Sequence, residues 1–223
     1  RVPARDMESC AQYLMTNVAV DQDAIYLHFG NRVAPGGYAW VFPKGGDSAN
    51  IGLGVVALRA GGRSAREWLD DYARSYFPTG VKVGYTVGGV IVNPTIKRTV
   101  TDALITCGDA AHMINPLSGG GIVNAMKAGR LAAEVGASAL AARDTSAARL
   151  QRYHDEWMSL LGDDHVRFHR LKDALSKFDD AFFDNLAKTV NRIPQEKRTL
   201  RRIFGSALMH HPTLLPVVAK YFV

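Results

Sequence analysis

The chain has 223 residues, 47% of them hydrophobic and 22% charged, with a formal net charge of +6. That composition excludes a disordered or fibrous chain and leaves enough apolar surface for one large domain or two small ones. The positive charge points to an anionic partner, but no interleaving of aromatic and basic residues suggests nucleic acid, so a membrane surface or a phosphorylated substrate is the better expectation. Cys10 and Cys107 are far apart in the chain and show no metal-ligand spacing, which reads as two reduced thiols in a reducing compartment. No apolar run is long enough to span a bilayer, and the opening residues do not read as a signal peptide.

The first half is mostly β in pattern. Residues 13–20 and 24–29 carry Tyr13, Leu14, Val18, Val20, Ile25, Tyr26, Leu27 and Phe29, with a turn over Asp21–Asp23. After a turn at Pro35-Gly36-Gly37 comes Tyr38-Ala39-Trp40-Val41-Phe42-Pro43-Lys44, then a loop through Gly45-Gly46-Asp47-Ser48 and a return strand ending Gly52-Leu53-Gly54. In a strand Tyr38, Trp40 and Phe42 project to one face and Ala39 and Val41 to the other. Periodicity alone favours the core face of a sheet over a binding surface for the aromatic row.

Gly52-Leu53-Gly54-Val55-Val56-Ala57 matches the dinucleotide-binding glycine fingerprint by letter. Its context is wrong, because Val55 and Val56 continue a strand where that fingerprint needs a helix to begin. Ser64-Ala65-Arg66-Glu67 is a capping box, and it predicts a helix of about three turns with Trp68, Leu69, Tyr72 and Tyr76 along one face, ended by Pro78. Residues 81–92 return to β pattern. Lys97 and Arg98 follow, and a solvent-facing role suits them better than a pyrophosphate contact.

The stretch Leu104 to Glu134 is the most informative. Leu104, Ile105, Thr106 and Cys107 read as a short buried strand, stopped by Gly108-Asp109. A loop with Pro116 and Ser118 leads to Gly119, Gly120 and Gly121, which open a helical pattern through Ile122, Ala125, Met126, Gly129 and Ala133. A helix whose first turn lacks side chains offers bare N–H groups and a positive dipole end to a flat or anionic ligand.

From Ser146 onward the pattern is helical, with Leu150, Tyr153, Trp157, Leu160 and Leu161 on one face. Further helices are expected at Phe178–Val190 and Glu196–Leu208. His165 and His169 stand one helical turn apart, a spacing that can bind metal. With no matching carboxylate or Cys array they are expected on a solvated face, and no metal site is assigned. The last residues, from Lys197 to Val223, mix basic and apolar types and suit either a helix on an anionic bilayer or a docked terminal helix.

Two of these motifs carry a resemblance. GDAAH, then Pro116, then the glycine cluster resembles the second flavin-contacting motif of the FAD-dependent family that includes aromatic hydroxylases and geranylgeranyl reductases. The row Tyr38, Trp40, Phe42, Pro43 followed by Gly52 and Gly54 resembles the substrate-pocket signature of the geranylgeranyl reductases, which the hydroxylases lack. The resemblance covers roughly residues 30–135. It implies FAD as cofactor, with Asp109 on the ribityl chain and Gly108, Pro116, Gly119, Gly120, Gly121 and Ile122 around the flavin. It implies a prenyl-lipid or prenyl-diphosphate pocket lined by Tyr38, Trp40, Phe42, Pro43, Gly52 and Gly54. The implied reaction is saturation of isolated C=C bonds in a geranylgeranyl chain. An electron donor such as ferredoxin or NAD(P)H would be a partner, in a cytoplasmic setting with possible peripheral membrane contact. Tyr38 and His112 are both candidates to donate a proton, and spacing does not choose between them.

The expected fold class is α+β: an antiparallel substrate-domain sheet over residues 1–98, a strand-loop-helix closing an FAD domain of the p-hydroxybenzoate hydroxylase and glutathione reductase type over 99–143, and a helical region over 144–223. No βαβ unit precedes the flavin motif and the chain opens without Met, so it is expected to be the C-terminal portion of a longer protein. A flavin monooxygenase and a non-catalytic lipid-binding module stay open as alternatives.

Overall fold

The structure is a computed structural model that describes residues 2–197. The expected helix over 196–208 and the basic-apolar tail therefore lie almost wholly outside the described residues. The described residues divide into two compact units: one holds residues 3–89 and 176–197, and the other holds Val2 and Val90–Leu175.

The first unit is built on β1 (Met7–Thr16), β2 (Tyr26–Phe29), β3 (Tyr38–Gly45), β4 (Ser48–Val56), helix α1 (Ala65–Tyr76) and β5 (Val81–Ile91, whose last residues cross into the second unit). The strands form one sheet in the order β2-β3-β4-β1-β5, and the β1–β4, β3–β4 and β2–β3 pairs are antiparallel. Alternation divides the sheet. Ala11, Tyr13 and Met15 of β1, Ala39 and Val41 of β3, and Ala49, Ile51, Leu53 and Val55 of β4 share one face, all buried. Leu69, Tyr72 and Ala73 of α1 belong to the same core.

The Ser64–Glu67 capping box starts α1 as the sequence indicates, with Ser64 N donating to the Glu67 carboxylate at 2.8 Å and Glu67 N donating to Ser64 Oγ at 3.3 Å. Tyr76 is half-exposed, so the buried stripe of α1 is narrower than expected.

β1 begins at Met7 and ends at Thr16, earlier than the expected 13–20, because Asn17 takes a left-handed backbone (φ +56°) that ends the extended run. The β3–β4 turn is tight, and Gly45 and Gly46 supply the positive φ values it needs. β4 runs through Val56 into a single 3-10 turn, so no helix follows the Gly52–Ala57 letters. In the same unit, helix α5 (Asp180–Asn191) is tied to the loop before β3: Asp180 Oδ1 accepts from Asn31 N at 2.7 Å and from Asn31 Nδ2 at 3.0 Å.

The second unit contains β6 (Val100–Thr101), β7 (Leu104–Ile105), a 3-10 turn at Gly108–Ala111, and helices α2 (Ile122–Ala141), α3 (Ala147–Trp157) and α4 (Asp163–Leu175). Its core is Val100, Ala111, Met113, Ala128, Val135, Ala139, Leu150, Tyr153 and Trp157. The expected buried strand at 104–107 is instead a two-residue ladder, in which Leu104 is 54% exposed and Cys107 is exposed. A two-stranded ribbon presents one face to the α2–α3 core, which leaves Leu104 without a covering layer among the described residues.

α3 and α4 are joined by a π turn over Met158–Gly162. A π turn adds a residue and shifts the helical phase by about 100°. Leu160, expected on the core stripe, is therefore half-exposed, while His165, expected in solvent, is 1% exposed. The His165 ring packs edge-on against Trp157 and its Nε2 lies 3.2 Å from Asn124 Nδ2.

Candidate functional site

Within the first unit, the sheet face opposite the α1 core carries the aromatic row. Register places Tyr38 and Cys10 opposite Gly54, Trp40 and Gln12 opposite Gly52, and Phe42 and Leu14 opposite Asn50. Phe29 and Leu27 of β2 pair with Tyr38 and Trp40 and extend the same face. Tyr38, Trp40 and Phe42 are half-buried, unlike their strand neighbours Ala39 and Val41, which are fully buried. The aromatic row is thus the second face of the sheet, which corrects the expectation from periodicity.

The rings make a continuous wall. Phe29 and Tyr38 have centroids 5.7 Å apart, Tyr38 and Trp40 meet edge-on at 5.8 Å, and Trp40 and Phe42 are stacked at 6.1 Å with planes only 17° apart. The two glycines of β4 form its floor. A Cβ on Gly52 would lie 2.5 Å from Trp40 Cζ2, so the indole lies across β4 only because residue 52 has no side chain. A Cβ on Gly54 would meet Cys10 Sγ at 3.2 Å and Glu8 Oε2 at 3.3 Å, so Gly54 leaves room for a thiol and a carboxylate beside Tyr38. Pro43 ends the row next to the shift of register between Pro43 and Gly45.

This end of the wall keeps its protons. Burial, and then the charges of Glu8 and Cys10, raise the Tyr38 phenol above its ordinary value. Burial, and then Glu8, push the Cys10 thiol up to about 11. Gln12, Cys10, Glu8, Phe29 and Leu27 were not identified as site residues from sequence. The signal was present only in the alternation of β1 and β2, and it needed the strand register to be read.

The second unit holds the strand-loop-helix. Gly108 is buried with φ +66°, and a Cβ there would lie 3.5 Å from Ala125 Cβ on α2. Asp109, on the 3-10 turn, is exposed. The loop after it is held by Asn115, whose Oδ1 accepts from Leu117 N at 2.9 Å and whose N–H donates to Gly120 O at 2.9 Å. Pro116 is buried, and Gly119 takes φ +69°, a conformation that favours glycine.

No side chain caps α2 at Gly121. A Cβ on Gly121 would stand 3.1 Å from Ile114 Cγ1 and 3.3 Å from Asp109 Oδ1, so Asp109 and the glycine turn, twelve positions apart in sequence, adjoin one another. The result is an exposed acceptor carboxylate beside an uncapped helix N-terminus, with Ile122 81% exposed at its edge. These residues fit a flavin: the bare helix end suits the electron-rich pyrimidine edge and the carboxylate suits a hydroxyl-bearing ribityl chain.

Lys97 and His112 line a different feature of this unit, a cavity of about 650 Å³ shared with Asn93, Pro94, Thr95 and His154. His112 has a left-handed backbone (φ +55°). The walls behind it are fixed by Trp157 Nε1 donating to Thr95 Oγ1 at 2.9 Å and by a 3.0 Å contact of His154 Nδ1 with Thr99 Oγ1.

Comparison with known proteins bears on both units. Residues 6–90 match the family model for the geranylgeranyl reductase catalytic domain. Digeranylgeranylglycerophospholipid reductase 2 of Methanococcoides burtonii is 40% identical over 86% of this chain and 47% of its own length. The digeranylgeranylglycerophospholipid reductase of Methanosphaerula palustris is 38% identical over 96% of this chain and 54% of its own length. The chain thus spans about half the length of the curated relatives it matches.

Among solved structures, a geranylgeranyl bacteriochlorophyll reductase-like protein from Thermoplasma acidophilum superposes with a TM-score of 0.90 and 29% identity, covering 99% of this chain and 56% of that one. The flavin-dependent brominase Bmp2, at 18% identity and a TM-score of 0.58, covers 97% of this chain and 50% of that one, and shares the fold alone. The strand register that turns an aromatic row away from the core lies inside residues 6–90, the stretch matched to the geranylgeranyl reductase catalytic domain, and over most of its length this chain is similar to geranylgeranyl-lipid reductases.

Proposed function

We propose that this chain is the substrate-binding and flavin-closing portion of an FAD-dependent reductase that saturates C=C bonds in the geranylgeranyl chains of glycerophospholipids. The observation that carries the reading is the aromatic wall on the sheet face opposite the core. Large half-buried aromatics on a face that the described residues of its own unit leave partly open are what a long apolar ligand needs. The names of the relatives supply the substrate class.

The wall binds the prenyl chain by removing it from water, at about 0.8 kcal/mol per buried CH2. It also excludes water from the reacting alkene, and its ring faces favour any positive charge that develops there. Saturating one C=C takes one proton and one hydride, a two-electron reduction. A bound reduced flavin supplies the hydride, and its electrons come from a donor of the ferredoxin or NAD(P)H class. In this chain Asp109 and the Gly119–Gly121 turn hold the flavin. Tyr38, kept neutral by burial beside Glu8 and Cys10, lines the wall as a hydroxyl donor.

The test is an anaerobic incubation of the whole flavin-loaded protein with dithionite and a digeranylgeranylglycerophospholipid. Product masses rising by two hydrogens per step support the reading. Oxygen-dependent gain of a single oxygen atom, with no hydrogenated product, assigns the chain to a monooxygenase instead.

A further inference from the structure

We propose that Gln12 is a positioning residue: by accepting the Trp40 indole N–H it fixes the ring flat over Gly52, and the fixed ring makes the wall prefer planar alkene units over saturated ones. The inference rests on the prenyl-binding reading of the wall.

Trp40 stands on β3, Gly52 opposite it on β4, and Gln12 one strand further on β1. The indole crosses the β4 backbone at a site that a Cβ would fill, and its Nε1 donates to Gln12 Oε1 at 2.9 Å. Three strands thus set one ring: β3 supplies it, β4 leaves space under it, and β1 anchors its far edge. An indole anchored at one edge by its Cα and at the other by a hydrogen bond has little rotational freedom. Phe42, stacked on it at 17°, lengthens the flat surface.

A geranylgeranyl chain carries trisubstituted alkenes whose carbons and substituents lie in one plane. Such a unit meets a flat ring over its whole area. A saturated branch point places a methyl or a hydrogen out of plane and loses part of that contact. A fixed ring therefore separates the unsaturated chain from the saturated one, whereas a free ring turns to accommodate both. The anchor has a chemical requirement: the indole N–H is only a donor, so residue 12 must be an acceptor.

The experiment uses the whole flavin-loaded protein with four versions of residue 12: wild type, Gln12→Glu, Gln12→Leu and Gln12→Lys. Tryptophan fluorescence titrations with geranylgeranyl diphosphate and with its saturated phytanyl counterpart measure the preference, and thermal melts confirm that each variant is folded. Wild type and Gln12→Glu should prefer the unsaturated probe. Gln12→Leu and Gln12→Lys should bind it about tenfold more weakly and discriminate little, since glutamate still accepts the indole proton and the other two do not.

A Gln12→Leu protein with wild-type affinity and preference overturns the inference while leaving the wall as a prenyl site. Loss in Gln12→Glu equal to that in Gln12→Leu also overturns it, because residue 12 would then act by packing alone. If wild-type protein binds neither probe, the prenyl reading of the wall falls, and the inference with it.

Discussion

The two faces of the β2-β3-β4-β1-β5 sheet are made by alternate residues of the same strands and have opposite constructions. On the α1 side, Ala39, Val41, Ile51, Leu53 and Val55 are at most 1% exposed, and small and branched residues interdigitate with Leu69 and Tyr72 of the helix. On the other side, large rings of β3 and β2 stand over glycines of β4. The first arrangement closes a core with its own helix. The second places its largest side chains on a surface that the described residues of the unit leave half-covered, a construction that costs stability and suits a ligand-binding face.

Substitutions on the two faces should therefore separate folding from binding. Leu53→Ala removes a fully buried side chain and should destabilise the protein by about 2–5 kcal/mol, read in urea unfolding, with all activity following the loss of fold. Trp40→Ala, on the adjacent strand β3 but on the other face, should cost about half of that or less. It should impair reduction of long prenyl substrates far more than reduction of the bound flavin by dithionite. Equal loss in both assays would make Trp40 a core residue after all and erase the distinction between the faces.

The second unit offers a smaller and separate effect. Asp109→Ala removes an exposed carboxylate beside Gly121 and should lower flavin occupancy after dialysis by about tenfold, with little change in melting temperature. Full flavin content in that variant would remove Asp109 from the cofactor site.

The mildest probe is chemical. With its thiol raised from 9.0 to about 11, Cys10 should be alkylated about 100-fold more slowly at pH 8 than a thiol of ordinary pKa, and exposed Cys107 should label first in the folded protein. A thiol whose folded pKa is raised stabilises the fold fully below about pH 9 and loses that contribution as pH rises toward about 11. A Cys10→Ser variant should lack that alkaline loss in pH-dependent melts.

Much of both sites was legible in the chain. Tyr38, Trp40 and Phe42 alternate with Ala39 and Val41, so one face of β3 had to be aromatic. The capping box and Pro78 bounded α1, and Asp109, Pro116 and Gly119–Gly121 marked a strand-loop-helix with an open first turn. Local rules sufficed for these features, because alternation, caps and glycine φ values act over a few residues.

Other features were not available there. Periodicity said that Tyr38, Trp40 and Phe42 share a face, but which face met α1 depended on the packing of a helix far along the chain. Gln12 gained its part only when register set β1 beside β4, and Glu8 and Cys10 only when Gly54 left them room. His165 was misplaced because a π turn at Met158–Gly162 changes the helical phase, and the expected buried strand at Leu104 shortened to two residues for want of a covering layer.

By itself, the sequence determined the alternation of β3, the glycines of β4, the ends of α1 and the chemistry of the Gly108–Ile122 loop. Each of these follows from neighbours within about one turn or one hairpin. Only the tertiary structure decided that the aromatic row turns away from the core, that Gln12 reaches the indole, and that Asp109 lies against Gly121. These are long-range choices, set by strand register and helix packing between segments whose separation local preferences do not sense.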